Sequence, residues 1–453
     1  MRAATDRAVR ASYARDASGM TMLPDDVLRP RDEQDVSEAL AAATAARGTV
    51  TVAGAQTSTT GASITDRGAL MSLRALDQVV RIDVERRTVR ASTGVIVADL
   101  RRACAEAGLL FTPDPTADES STVGGAVACN ASGARSFAYG ATRPHVLALR
   151  VAHADGRAEE YRRPRIAKNT AGYLAAQDPV DWFVGSEGTL GVVLEAEFSL
   201  LPLPARTTGL AVPFHSEAEA LAFVAAAREG TTVRPRCLEY TDAEATGFMR
   251  RAADDEAWAR GAQAMVYTED SGDEPEAPLE AWLALIEAYG GQADDLRVFE
   301  GETALREARR LRHAVPAAMH ERAAPFLSKG GRRVSTDWAV PCREMTAALE
   351  ASRRAADALG IEHAVTYGHA GDGHPHQNWV ARDPDELRVR EACVERTLHE
   401  VIARGGTVAA EHGIGKLKKR WLPMQLGPRQ YAVMRALKAA LDPAGVLAPG
   451  NLW

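Results

Sequence analysis

The sequence predicts an α+β fold in two or three domains. Short strands and helices alternate over roughly the first two hundred residues, a Pro202-Leu-Pro204 break follows, and longer amphipathic helices separated by single strands fill the remainder. At 453 residues the chain is also too long for one ordinary core. In order, Asp32 is the expected cap of a helix through Ala39–Ala46 that stops at Gly48. A strand over Thr49–Ala53 then leads into the loop Gly54-Ala-Gln-Thr-Ser-Thr-Thr-Gly61. Val79–Val84 and Thr88–Ser92 read as a hairpin across Glu85-Arg86-Arg87, and a helix over Val97–Ala107 ends at Gly108. Val146–His153 and Arg157–Tyr161 flank Ala154-Asp155-Gly156, a second hairpin signal, and strand character returns over Thr189–Leu200.

From about Ala205, helices are expected over Glu217–Arg228, Pro278–Tyr289, Thr303–Arg322, Glu344–Leu359 and Pro384–Arg404. Strands are expected over Ala264–Thr268, Leu296–Phe299, Val334–Val340 and Ala364–Gly368. Such units suit an antiparallel sheet covered by helices on one side. The acidic run Glu269-Asp-Ser-Gly-Asp-Glu-Pro-Glu276 reads as a solvated loop, because clustered like charges resist burial.

Bulk properties exclude several function classes. Hydrophobic content of 46% with 25% charged residues describes a globular chain, and a net charge of -7 argues against general nucleic-acid binding. No apolar run reaches membrane-spanning length and no secretory signal opens the chain, so a cytoplasmic location is expected. Arg2, Arg7, Arg10 and Arg15 faintly resemble an organelle transit segment, which Asp6 and Asp16 interrupt. The five cysteines (Cys104, Cys129, Cys237, Cys342 and Cys393) are scattered, with no Cys-x-x-Cys pair. That pattern offers no iron–sulfur or structural zinc framework and fits reduced thiols.

Chemistry concentrates in His369-Ala-Gly-Asp-Gly-His-Pro-His376 and Glu411-His412-Gly-Ile-Gly415. Gly371, Gly373 and Pro375 exclude a continuous helix, so the segment bends and its histidines can converge. Two imidazoles and a carboxylate suit a divalent metal, zinc or manganese. His369, His376 and Glu411 would supply three ligands and leave positions open for substrate, with His412 beside them as a base. The alternative is two unrelated polar loops with surface histidines. Upstream, Gly54–Gly61 carries Gln56, Thr57, Ser58, Thr59 and Thr60, a donor-rich concavity. Gly124-Gly125 can open a helix whose free N–H groups face an anion. The two loops could clasp a pyrophosphate, although neither matches the dinucleotide or P-loop fingerprints. Glycines serving only tight turns are the alternative.

Taken in order, Pro30-Arg-Asp-Glu-Gln-Asp-Val36, the Gly54–Gly61 loop, Pro113-Asp-Pro115, Gly124-Gly125, Asn130-Ala-Ser-Gly-Ala-Arg135, Tyr139-Gly140 and Phe183-Val-Gly-Ser-Glu-Gly-Thr-Leu-Gly191 resemble the FAD domain of the vanillyl-alcohol-oxidase superfamily. The histidine motif, Asn378, Glu411–Gly415 and the ending Leu441-Asp-Pro-Ala-Gly-Val-Leu-Ala-Pro-Gly450 narrow the resemblance to FAD-dependent D-2-hydroxyacid dehydrogenases. That group includes cytochrome-linked D-lactate dehydrogenases, glycolate oxidase catalytic subunits and D-2-hydroxyglutarate dehydrogenases. The resemblance implies an FAD-binding domain over 1–203, an antiparallel-sheet cap domain holding substrate and metal over 204–417, and a segment, 418–453, returning to the FAD domain. FAD contacts are implied at Gly54, Ala55, Gln56, Thr57, Ser58 and Gly61; at Pro113, Thr122, Gly124, Gly125, Asn130, Ser132, Gly133 and Tyr139; and at Glu187, Gly188, Val192 and Asn451. Metal ligands are implied at His369, His376 and Glu411, the base at His412, and a carboxylate-binding arginine at Arg312. Asn378 is an implied substrate contact.

Two departures stand out. Ala53-Gly54-Ala55-Gln56-Thr57 replaces a more glycine-rich loop, and His374 replaces an asparagine; His374 is expected to line the substrate pocket, with a ligand role as the alternative. Arg333 is expected to be a second carboxylate anchor, with Arg332 and Lys329 as alternatives. The implied reaction is FAD-dependent, metal-assisted oxidation of a D-2-hydroxy acid to the 2-oxo acid, with hydride passing to flavin N5. Competing readings are an alkylglycerone-phosphate-synthase-like transferase, an alditol-type oxidase, and a non-catalytic FAD-binding subunit. Electrons would leave to an electron-transfer protein, quinone, cytochrome or oxygen, and a homodimer is compatible with the sequence.

Overall fold

Two units divide the chain in the computed structural model, which describes residues 3–272 and 277–453: Met1–Gly133, Gly140–Leu203 and Glu411–Trp453 form the first, and Ala134–Tyr139 with Pro204–Ala410 the second. In the first unit, helix Glu33–Ala45 begins where the Asp32 carboxylate accepts the Asp35 N–H at 2.9 Å. That satisfies one of the orphan donors of the first turn. Its Val36 and Leu40 are buried in a cluster with Val50 and Met71, each side chain contributing about 1.5–3 kcal/mol by leaving water. Val50 and Met71 belong to a three-stranded parallel sheet, ordered Asp26–Leu28, Ala69–Ser72, Val50–Ala53. The chain's last stretch adds to the edge of this sheet: Val50 donates to the Val446 carbonyl and accepts from the Ala448 N–H, both at 2.8 Å.

A five-stranded antiparallel sheet completes this unit, ordered Val80–Asp83, Thr88–Ser92, Val192–Ser199, Val146–Ala152, Ala158–Arg162. Both expected hairpins are its outer pairs. Gly156 turns the second at φ 86°, and a Cβ there would meet the Ser37 carbonyl at 2.5 Å, so the turn also needs the missing side chain.

The second unit is built on a seven-stranded antiparallel sheet. Its order is Arg297–Glu300, Arg206–Phe214, Ala264–Gly272, Pro235–Asp242, Val365–His369, His374–Ala381, Arg332–Ser335. Helices Ala243–Ala252 and Gly301–Ala323 pack Phe248, Met249, Leu311 and Val315 with Ala211, Met265, Val365 and Tyr367 of one face. The one-sided cover expected from sequence is not what forms. Phe214, whose side chain points opposite to Ala211, stacks on Phe223 (5.3 Å), which meets Trp282 (6.0 Å), so helices Glu217–Glu229 and Ala277–Ala288 cover the other face.

Two further expectations are corrected. The strand anticipated over Val334–Val340 is Arg332–Ser335; beyond it the chain leaves the ladder to bury Trp338 and to pair Ala339 with Thr407. The acidic run does not begin as a solvated loop. Glu269 and Asp270 lie in strand Ala264–Gly272, and the buried Glu269 carboxylate is gripped by Arg135 through two bonds of 2.8 and 2.9 Å. The remainder of that run, 273–276, lies outside the described residues, as does Arg2.

Candidate active site

Strand register in the second unit explains why three histidines converge. Val365–His369 and His374–Ala381 pair antiparallel around the short turn Ala370–Asp372, with His369 opposite His374 and Tyr367 opposite His376. Paired residues share a sheet face, and so do residues two apart along a strand, so His369, His374 and His376 all project to one side. Their ring centroids lie 4.5 to 5.4 Å apart, and one ring nitrogen of each lies within 4.8 Å of the others. All three are buried.

The same face carries a carboxylate that sequence reasoning did not identify. Glu239 pairs with His369 across the next strand, and its Oε1 lies 2.5 Å from His369 Nδ1. Its Oε2 accepts from Arg312 Nε at 2.7 Å. Burial would raise this carboxyl, but the charges of His369 and Arg312 and their hydrogen bonds outweigh that and hold it at about 2. Arg312, from helix Gly301–Ala323, is thereby fixed in plane, with its guanidinium carbon 5.9 Å from the centre of the Tyr367 ring. An acid three residues past Pro235-Arg236 gives no motif, and only the cross-strand register reveals Glu239.

The remaining residues expected to meet substrate belong to the same sheet. Asn378 shares the histidine face, is 1% exposed, and neither its Oδ1 nor its Nδ2 has a hydrogen-bond partner. A buried amide with both atoms unmet is costly unless a bound molecule meets them. Strand Arg332–Ser335 pairs Ser335 with Asn378 and Arg333 with Val380, which puts Arg333 on the histidine side. Arg332 alternates to the opposite side and pairs with Glu391 at 2.7 Å, and Lys329 lies in the preceding 3-10 turn. Tyr139 also belongs to the second unit, where its hydroxyl accepts from Arg236 Nε at 2.9 Å.

In the first unit the glycine-rich segments are built for close approach. A Cβ on Gly54 would meet Thr122 Oγ1 at 2.3 Å, and one on Gly124 would meet Thr93 Oγ1 at 1.7 Å. Thr122 caps helix Val123–Cys129 by accepting the Gly125 N–H at 3.3 Å. Three non-glycine residues expected at the cofactor hold left-handed backbone: Gln56 (φ 57°), Asn130 (φ 49°) and Glu187 (φ 52°). Such strain persists only where surroundings over-determine it, and it clusters at ligand sites. The Gln56 amide is held by the Tyr13 carbonyl at 2.9 Å, and Asn130 accepts the Arg143 N–H at 2.9 Å.

Glu187 is buried and accepts the N–H groups of Ile414 and Gly415 at 2.6 and 2.7 Å, so it clamps the turn that follows Glu411-His412. Burial still pushes its carboxyl up. Thr60 Oγ1 donates to the His412 carbonyl at 3.5 Å. Lys416 reaches Asn451 Oδ1 at 2.6 Å and the Gly61 carbonyl at 3.2 Å, and burial lowers its ammonium to about 8. Asn451 Nδ2 in turn donates to the Ala62 carbonyl at 2.9 Å. Ala55, Thr57, Ser58, Pro113, Ser132, Gly133, Gly188 and Val192 belong to this unit too, with Gly133 so close that a Cβ would sit 1.9 Å from the Asp114 carbonyl. Gly133→Ala is therefore expected to displace the 113–116 loop and lower FAD content per chain, read from the flavin absorbance of purified protein.

These close-approach loops fit an adenine dinucleotide, and the histidine face fits a cation. No helix among the described residues is long and apolar enough to cross a membrane. The family model described as FAD linked oxidases, C-terminal domain, matches residues 203–452, and that described as FAD binding domain matches residues 24–162. Among curated relatives, the glycolate oxidase subunit GlcD of Bacillus subtilis is 32% identical over 98% of this chain and 92% of its own. A D-lactate dehydrogenase of Archaeoglobus fulgidus is 30% identical over 94% and 90%, and a D-2-hydroxyglutarate dehydrogenase of Xanthomonas citri pv. viticola is 30% identical over 100% and 94%. Among solved structures, an alkyldihydroxyacetonephosphate synthase covers 99% of this chain and 82% of its own at TM-score 0.70 and 16% identity, a likeness of fold alone. The chain belongs to the FAD-linked oxidases, and it is an FAD-dependent oxidoreductase.

Proposed function

We propose that this oxidoreductase converts a D-2-hydroxy acid to the 2-oxo acid with the help of a divalent metal held by His369, His376 and Glu411. The observation that carries the reading is one sheet face bearing three buried imidazoles, the Glu239–Arg312 pair and an unsatisfied Asn378. An imidazole cluster serves a cation, and a guanidinium beside it serves a carboxylate. The relatives act, by name, on glycolate, D-lactate and D-2-hydroxyglutarate, all small 2-hydroxy acids. A transferase or alditol oxidase would have no need of the histidine set.

FAD, when bound, supplies a two-electron acceptor, and a divalent cation supplies positive charge for the substrate's C2 oxygen. Gly54–Ser58, Gly61, Pro113, Thr122, Gly124, Gly125, Asn130, Ser132, Gly133, Tyr139, Glu187, Gly188, Val192 and Asn451 would hold the dinucleotide. Glu239 accepts the proton on His369 Nδ1, which selects the tautomer with a lone pair on Nε2 for the metal. Glu411 follows Ala410, whose N–H is tied to the Asp337 carbonyl at 2.8 Å, so the chain leaves the histidine sheet at the third ligand. Arg312 binds the substrate carboxylate and orients C2, and Asn378 offers one donor and one acceptor to the same molecule. Arg333 serves substrates with a second carboxylate. His412 takes the proton from the C2 hydroxyl, the general-base role most often filled by an imidazole. The electrons would leave to an external electron-transfer protein, quinone, cytochrome or oxygen.

Chelation tests the metal directly. Exhaustive treatment with a chelator is expected to abolish anaerobic bleaching of the flavin by a panel of D-2-hydroxy acids, while the flavin stays bound. Readdition of zinc or manganese restores it. Full-rate reduction by a sample shown to hold no metal would remove the metal from the reaction.

A further inference from the structure

The second unit contains one more imidazole than the proposed ligand set uses. His374 stands directly opposite His369 in the strand pairing and two residues from His376, so strand geometry alone puts its ring among the other two. Its ring centroid is 4.5 Å from that of His376, and one of its nitrogens lies within 4.8 Å of a nitrogen on each neighbour. Ligand atoms held about 2.0–2.1 Å from a common zinc sit roughly 3–4 Å apart, so this cluster needs only a small contraction around an ion. Its side chain is buried, and Nε2 makes no hydrogen bond.

A buried imidazole nitrogen with no protein partner is costly unless a bound ion or molecule meets it. The Asp337 carboxylate stands beside it, with Oδ1 3.2 Å from His374 Nε2 at ion-pair distance but off the hydrogen-bond line. Asp337 is itself buried, which suits a negative charge placed to balance a cation. Buried carboxylates thus stand beside two histidines of the cluster, Glu239 at His369 Nδ1 and Asp337 at His374 Nε2, and both add negative charge around the place a cation would take.

We infer that His374 is a third imidazole ligand, and that the site therefore takes zinc in preference to manganese. This rests on the metal reading above and deepens it. Imidazole favours zinc, whereas manganese is better served by carboxylate and water, so replacing an oxygen position by nitrogen shifts the preference toward zinc. It also replaces the expectation that His374 only faces substrate.

The test titrates metal-free holoflavoprotein with Zn(II) and, separately, Mn(II) against a competing fluorescent chelator. Wild type and His374→Asn are compared, with flavin absorbance and a thermal melt as checks on folding. His374→Asn is expected to bind zinc at least about ten-fold more weakly and to narrow the zinc-over-manganese ratio, as losses at metal-supporting residues do. X-ray absorption at the zinc edge on wild type alone, independent of any variant's folding, is expected to count three imidazoles. Two imidazoles, or unchanged zinc affinity in a folded His374→Asn, overturns the inference while leaving the His369/His376/Glu411 reading standing. Wild type that takes up neither metal overturns both.

Discussion

Replacing His412 with alanine is expected to slow reduction of the bound flavin by substrate about a hundred-fold or more, the usual contribution of a positioned general base. The fold around it should survive, because the turn is fixed through backbone rather than through the imidazole. Glu187 binds the N–H groups of Ile414 and Gly415, and Thr60 binds the His412 carbonyl. Metal content and substrate affinity should therefore change little. Glu411→Ala differs in kind: metal occupancy falls, and activity falls with it. Stopped-flow reduction alongside metal analysis separates the two variants. Near-normal reduction in His412→Ala would take the histidine out of the proton-transfer step.

The sequence was most legible where local signals act alone. Asp32 capping Glu33–Ala45, the turn at Gly156 and the bend enforced by Gly371, Gly373 and Pro375 are decided within a few residues, and the structure has each of them. His369 and His376 were readable as partners for the same reason, and they converge with His374 in one buried cluster. Strand order was not legible. Strands Arg206–Phe214, Pro235–Asp242 and His374–Ala381 went unanticipated. The last is buried on both sides, so no alternation of polar and apolar residues marks it, and its polar residues are functional rather than solvent-facing.

Glu239 is the main omission. It sits more than a hundred residues from His369, on a strand whose neighbours can be known only from pairing. Glu269 shows the complementary error. A run of acids predicts solvent, yet Arg135 arrives from a distant loop and makes burial tolerable. Long-range charge pairing overrides local composition in both cases.

Glu239→Gln is expected to have the second large effect. Glu239 receives two donors, His369 Nδ1 at 2.5 Å and Arg312 Nε at 2.7 Å. A carboxylate accepts both, but a carboxamide has one acceptor oxygen and presents an NH2 to the other side. If the amide nitrogen faces His369, the imidazole must accept there and carry its proton on Nε2, which removes the lone pair a metal would need. If it faces Arg312, two donors oppose each other beside a buried cation, a contact costing roughly 3–5 kcal/mol when a buried pair is broken. Either orientation injures the site, although the substitution barely alters side-chain volume. Metal affinity should fall about ten- to hundred-fold, the range for residues that orient a ligating histidine. Substrate affinity measured at saturating zinc should fall as well, because Arg312 loses the partner that fixes its plane. Arg312→Lys isolates that second effect: it weakens substrate binding, since a point charge cannot reproduce the forked contact, but leaves the Glu239–His369 bond and metal affinity in place. Wild-type zinc affinity in Glu239→Gln would show that His369 is not oriented through this carboxylate.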